Sequence, residues 1–240
     1  MSLALECKKI KRTGFTAAFI GGGILAGAVP LLSTTARSIE LAGIDVSPVT
    51  ALMNDNWQIV AMLNVLLLVT GACIIYHIEY ADNALLKMKV LPQRENGLFF
   101  SKLLLMLIMA FAGLLLELAG VGLCVLVKAE LSGGTALELM KNLGFIMLLT
   151  APAALLALII AAGCKNMWTA LGAGVVCVFI ATMIPTNNFV LSLFPFALPF
   201  QFLSGLTEQA AEKYMLAAAA EIVFLCHGEV TFAKIRRAAE

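Results

Sequence analysis

Apolar residues in this chain fall into six long runs, and the charged and amide side chains collect between them. The runs cover 14–32, 57–76, 103–127, 143–162, 167–184 and 215–232. Each is close to the ~18–20 residues that an α-helix needs to cross the hydrocarbon of a bilayer. Inside lipid a segment has to satisfy its own backbone hydrogen bonds, which selects helices. The short alternating segments that mark a membrane barrel do not occur. The pattern therefore predicts an all-α integral membrane protein with six transmembrane helices, built as one transmembrane domain over 1–240.

Composition sharpens this class. Hydrophobic residues make up 61% of the 240 and charged residues 13%, against ~25% charged in an ordinary soluble domain. The first run follows "KKIKR", as a secretory signal would. It exceeds the ~7–15-residue apolar core of a signal, and with five more runs behind it a retained helix is expected.

Charge sets the orientation. With the N-terminus inside, the inner segments hold Lys8, Lys9, Lys11, Arg12, Lys87, Lys89, Arg94, Lys102, Lys165, Lys234, Arg236 and Arg237, which makes twelve. The outer segments hold Arg37, Lys128, Lys141 and Lys213, the other four of sixteen. Inner segments of membrane proteins carry the excess of Lys and Arg, so both termini are expected in the cytoplasm. These basic residues read as topological anchors rather than as a nucleic-acid surface.

The segments between the runs have patterns of their own. In 1–13, Leu3, Cys7 and Ile10 share one helical face, with Glu6, Lys8, Lys9, Lys11 and Arg12 on others; an amphipathic helix along the inner membrane surface is expected. The first run contains Gly23-xxx-Gly27, a spacing that lets another helix approach closely. Segment 33–56 is polar and too short for a domain. Segment 185–213 carries Pro185, Pro195 and Pro199 among Phe189, Phe194, Phe196, Phe200 and Phe202. Proline breaks a continuous helix, and the aromatics want apolar surroundings or the membrane interface. Short, half-buried helical pieces that re-enter from the outer face are expected there; an ordinary aromatic belt is the other reading.

Two acids lie within the runs: Glu117 in the third and Glu221 in the sixth. A charge at mid-bilayer costs at least ~2.5–3.5 kcal/mol on insertion scales, so each should face the bundle interior or be protonated. Two roles stand. One is a contact on a substrate path or subunit interface; the other is a protonated carboxyl bonded to a helix partner such as Asn64 or Thr70.

The motifs of soluble catalysis are missing. There is no G-x-x-x-x-G-K-[ST], so this chain alone has no phosphate-binding loop for ATP. There is no H-E-x-x-H, and no nucleophile stands beside a base. His77/Glu79 and His227/Glu229 each form an H-x-E without further ligands nearby, so interfacial hydrogen bonding is expected of them rather than metal binding. The six cysteines show no CxxC and no extracellular pair, and read as small buried hydrophobes.

The longest inner connection, 77–102, is much larger than joining two helices requires. Ile78, Ala81, Leu85 and Met88 form one apolar stripe, with His77, Glu79, Asp82, Asn83, Lys87 and Lys89 on other faces. Leu91-Pro92 ends that helix, because the residue before proline avoids the α region. A second start follows between Arg94 and Lys102. A protruding turn of mixed charge fits a soluble partner.

This arrangement resembles the permease subunits of ABC-2-type transporters. In those, an acid, a helix, "LP" and a polar run ending in Lys form the coupling helix that sits in the ATPase subunit. Here the matching residues are Glu79, "ADNALLKMKVLPQREN" and Lys102, and "ECKKIKRTGFTAAFIGGG" is similar to the family's "E…K…T" lead into its first span. Length and the "E-x-K-K-x-K-R-T" opening look most like lantibiotic immunity permeases of the MutE/MutG type. The resemblance implies a permease subunit without catalysis of its own, and no cofactor in this chain. ATP and Mg would sit on a partner ATPase, in two copies, and a second identical or related permease would complete the transporter. It also implies contacts to the ATPase from Glu79, Asp82, Asn83, Lys87, Leu91, Pro92 and Arg94, with Lys165 in the short "GCKNMW" connection as a second contact. The implied substrate is an amphipathic peptide taken from the bilayer. A secondary transporter would show several intramembrane acids or paired broken helices in repeated halves; it remains the alternative, with a membrane scaffold that transports nothing.

Overall fold

The structure, a computed structural model, describes residues 3–11, 13–37, 47–80, 95–128, 134–164, 166–184 and 188–239. Among these residues there is no strand. Helix α1 spans Leu3–Ile10, α2 Phe15–Arg37, α3 Pro48–Tyr80, α4 Glu95–Lys128, α5 Thr135–Gly163 and α6 Met167–Met183. A single turn, α7, covers Phe189–Ser192; 3-10 turns at Leu198–Phe200 and Leu203–Gly205 follow, and α8 runs over Glu208–Ala239. Helices α2, α3, α4, α5 and α8 are long and apolar enough to cross a membrane, and α6 is a shorter apolar helix.

The apolar runs mark the middle of each helix rather than its ends. The second run starts at 57, whereas α3 begins at Pro48. Ser47 caps that start, accepting a hydrogen bond from Thr50 N at 3.1 Å. Helix α4 starts at Glu95, ahead of the run at 103, and α8 starts at Glu208, ahead of 215. Polar residues at these ends stop an apolar count but do not stop a helix.

Successive long helices alternate in direction, which gives the bundle two ends. The base carries α1, the start of α2, the end of α3, the start of α4 and the short turn between α5 and α6. The top carries the turns of residues 188–206. Helix α3 is central and packs against α2, α4, α5 and α6, while α8 lies mainly on α5. Large apolar side chains such as Leu25, Phe111, Val176, Phe179 and Phe224 are exposed around the rim. A water-facing surface of that kind would be an aggregation hazard; a lipid-facing one is expected of a membrane bundle.

Helices α2 and α4 make the closest pair. A Cβ on Gly120 would stand 2.2 Å from Gly27 O, and a Cβ on Gly23 would stand 3.0 Å from Gly113 Cα. The Gly23-xxx-Gly27 spacing thus forms one side of a backbone-to-backbone contact, with Gly113 and Gly120 on the other.

At the top, Glu138 on α5 accepts from Ser47 Oγ at 2.7 Å and from Thr50 Oγ1 at 3.0 Å, which joins the first turns of α3 and α5. The 188–206 stretch is fastened on both sides. Trp57 Nε1 donates to Pro199 O at 3.1 Å, and Asn142 Nδ2 donates to Ser204 Oγ at 2.6 Å. Phe196, Pro199 and Phe200 are buried, Phe194 and Pro195 half-buried, and the Phe194 and Phe196 rings meet edge to face at 5.8 Å. Short broken pieces packed on α3 and α5 match the geometry read from the prolines and aromatics. Pro185 lies outside the described residues.

Candidate functional site

The base holds a cluster of paired charges. The last turn of α3 places Tyr76, Glu79 and Tyr80 at i, i+3 and i+4, so all three share one face. Lys102, in the second turn of α4, donates from Nζ to Glu79 Oε2 and lies 3.9 Å above the centroid of the Tyr76 ring. The other oxygen, Glu79 Oε1, is 3.5 Å from Lys9 Nζ on α1, and Lys9 Nζ bonds Glu6 Oε1 at 2.8 Å. Charges alternate along Glu6–Lys9–Glu79–Lys102 and cancel. Glu6, Glu79 and Lys102 are buried, whereas the Lys9 side chain keeps 26% of its exposure. Burying single charges here would be prohibitive, and the alternation is what makes the cluster tolerable.

This cluster brings together three parts of the chain that are far apart in sequence. Glu79 is the penultimate residue of α3 and Lys102 lies in the early part of α4, so their ion pair ties the end of α3 to α4. Lys9 adds α1 to the same point. Tyr80 then donates from its hydroxyl to Ala162 O at 2.7 Å, which ties the end of α3 to the last turn of α5. The two connections at the base therefore leave from neighbouring, bonded points.

Several sequence expectations change here. Besides counting toward the inner excess of basic residues, Lys102 and Lys9 both belong to the cluster, and Lys102 is buried. On α1, Glu6 and Ile10 are buried and Cys7 is exposed, so Cys7 does not share the inward face with Ile10. Glu6 turns inward because Lys9 partners it there, and an ion pair overrides apolar patterning in so short a helix. His77 is exposed while Glu79 is buried, so this H-x-E pair points in two directions. Asp82, Asn83, Lys87, Leu91, Pro92, Arg94 and Lys165 lie outside the described residues. Tyr76 and Tyr80 carried no sequence signal beyond that of aromatics at a helix end.

The intramembrane acids separate. Glu117 is buried and accepts from Asn64 Nδ2 at 2.8 Å through Oε2, while its Oε1 has no hydrogen-bond partner. Thr70 donates instead to Leu66 O on its own helix. Glu221 is half-buried, and its Oε2 has no hydrogen-bond partner. Substituting Glu117→Gln keeps an acceptor for Asn64 and is expected to leave stability within about 1 kcal/mol, whereas Glu117→Leu strands the half-buried Asn64 amide and costs about 1–3 kcal/mol. Detergent unfolding of the two variants checks this. A Gln variant as unstable as the Leu variant would mean that the charge itself is required.

A bundle of long apolar helices with an exposed apolar rim and a paired charge cluster at its base has the architecture of a multi-pass membrane protein. The family model described as ABC-2 family transporter protein matches residues 2–181. The chain belongs to the ABC-2 transporter family, as a membrane permease of an ABC transporter. Members of that family are membrane transport subunits, and membership implies an ABC ATPase partner in general. Neither the curated proteins nor the solved structures yield a match.

Proposed function

We propose that this chain is a permease of an ABC exporter that expels a lantibiotic-type antimicrobial peptide from the membrane, giving self-immunity or resistance. Two copies of a separate ATPase drive it, ATP and Mg sit on those subunits, and an identical or related second permease completes the pore. The observation that carries the coupling role is the Glu6–Lys9–Glu79–Lys102 cluster. A segment that transmits force needs its two ends fixed relative to each other and to the membrane helices. Here the last turn of α3, which precedes 81–94, and the early part of α4, which follows it, are tied through one paired carboxylate, which is also bound to α1.

In this reading the base is cytoplasmic, in keeping with the twelve-to-four distribution of Lys and Arg. Asp82, Asn83, Lys87, Leu91, Pro92 and Arg94 face the ATPase, with Lys165 as the second contact. Closure of the ATPase pair moves 81–94, and the cluster passes that movement to α3, α4 and α1. Helix α2 follows α4 through the glycine contact. The substrate enters laterally from the bilayer, which suits an apolar rim. Glu117, Asn64 and Glu221 are then polar points on the substrate path or at the permease interface.

Pull-down of the tagged chain from native membranes is expected to bring an ATPase with a P-loop, and its hydrolysis should depend on this subunit. Arg94→Glu is expected to reduce that recovery while membrane insertion stays intact. A pull-down without any such ATPase would sink the exporter reading. Cells making the complete transporter should survive higher doses of a lantibiotic; unchanged survival would remove the peptide substrate and leave the permease.

A further inference from the structure

At the top of the bundle, a cavity of about 400 Å³ opens between α3, the end of α6 and the 188–206 turns. That volume lies within the ~300–1,000 Å³ of ordinary ligand pockets. Asn54 and Gln58 supply its free polar groups; Trp57, Met183, Phe200 and Phe202 supply much of its apolar wall. Among the described residues, no Asp, Glu, Lys or Arg lines it. That lining offers no opposite charge to an ion, which suits a neutral occupant.

The spacing of the two amides narrows the class. Asn54 and Gln58 are four residues apart on α3, so they stack on one face about 6 Å apart along the axis. Each offers both donors and an acceptor. In an extended peptide, backbone groups on the same edge repeat every second residue, about 6.7 Å apart. The match places one peptide unit against each amide. The alternative neutral ligand, a saccharide, would need an open aromatic face. Trp57 is buried, its Nε1 is spent on Pro199 O, and its ring packs on Phe202 at 6.3 Å, so the indole offers no such face.

We propose that this cavity binds a short extended stretch of an uncharged peptide, with Asn54 and Gln58 taking its backbone groups and the Met183, Phe200 and Phe202 side taking its apolar side chains. The proposal deepens the export reading by giving its peptide substrate a place at the end of the bundle where it would leave. Residues 188–206 then serve as the far wall of a site, held in position by the Trp57 and Asn142 hydrogen bonds.

Trp57 is a built-in reporter. The chain has two tryptophans, and Trp168 lies at the base with 76% exposure, so Trp168→Phe leaves Trp57 as the sole emitter. The full chain in detergent is titrated with an acetylated, amidated hexapeptide of valine, alanine and serine. The same peptide N-methylated at alternate residues and maltotriose are titrated in parallel. A saturable change in Trp57 emission is expected with the plain peptide. The N-methylated form, and the Asn54→Ala/Gln58→Ala double variant with the plain peptide, are each expected to bind about tenfold more weakly. Both amides are exposed, so their truncation leaves the fold intact. No saturable change, equal binding of the N-methylated peptide, or a response to maltotriose alone would each overturn the proposal. The titration contains no ATPase, so its outcome is independent of the pull-down that tests the exporter reading.

Discussion

Lys102→Met is expected to destabilise the folded bundle by about 3–5 kcal/mol, because it leaves the buried Glu79 carboxylate without its principal partner. Lys9 stands 3.5 Å from the other oxygen and is itself shared with Glu6, so it does not replace the lost cation. Unfolding in mixed micelles, followed by circular dichroism, measures the loss. Lys9→Met should cost clearly less, since the Lys9 side chain remains a quarter exposed and Glu79 keeps Lys102. The double variant Glu79→Leu/Lys102→Met is the decisive control. Replacing both partners of a buried pair by apolar groups is often neutral or stabilising, so much of the loss should return. In the ATPase-bound transporter, however, that double variant should stay uncoupled, with ATP hydrolysis no longer tied to transport. Equal stability of Lys102→Met and the unsubstituted chain would show that the cluster does not hold the base together.

The difference between those two readouts reflects why the cluster was hard to find by pattern. Glu79 and Lys102 were both singled out, but through family likeness and as separate marks at the ends of one segment. Nothing in spacing says that residues separated by 23 positions, or Lys9 and Glu79 separated by 70, share an oxygen pair. Charged residues at helix ends look like anchors when only the helix boundary is visible. Tyr76 and Tyr80 look like members of an aromatic belt for the same reason. The helices themselves were far more legible, because each apolar run reports lipid contact directly. Even there, α3 reached back to Pro48, since Asn54, Asp55 and Asn56 end an apolar run without ending a helix; Asn56 is buried and donates to Leu52 O at 2.9 Å. The turns of 188–206 were legible from Pro195 and Pro199, which interrupt helices by their covalent geometry. Their fastening by Trp57 and Asn142 depends on long-range contacts and was not.

The glycine seam is the second place where a small change should have a large effect. Gly120→Ala would set a Cβ 2.2 Å from Gly27 O, a backbone atom that no side-chain rotation can move. Relief requires α2 and α4 to part by about 1 Å, a gap that forfeits roughly a quarter to a half of the dispersion energy of each facing atom pair. Against this, alanine gains about 1 kcal/mol over glycine in helix propensity. The seam involves Gly23 against Gly113 as well as Gly27 against Gly120, so the loss is spread over two helical turns and outweighs that gain. A net destabilisation of about 1–3 kcal/mol is expected for Gly120→Ala, and Gly120→Leu should prevent α2 from docking. Gly144→Ala is the matched control, since its Cβ would meet nothing within 4 Å; it should be neutral or stabilising. Cys124 provides a local readout one turn along α4 from Gly120: it is fully buried and lies 3.5 Å from Thr34 Oγ1 on α2. In a chain with the other five cysteines replaced, Gly120→Ala should speed alkylation of Cys124, and Gly144→Ala should leave it unchanged. Equal protection of Cys124 in both variants would show that α2 and α4 do not meet backbone to backbone. The route by which α2 follows α4 in transport would then have to run elsewhere.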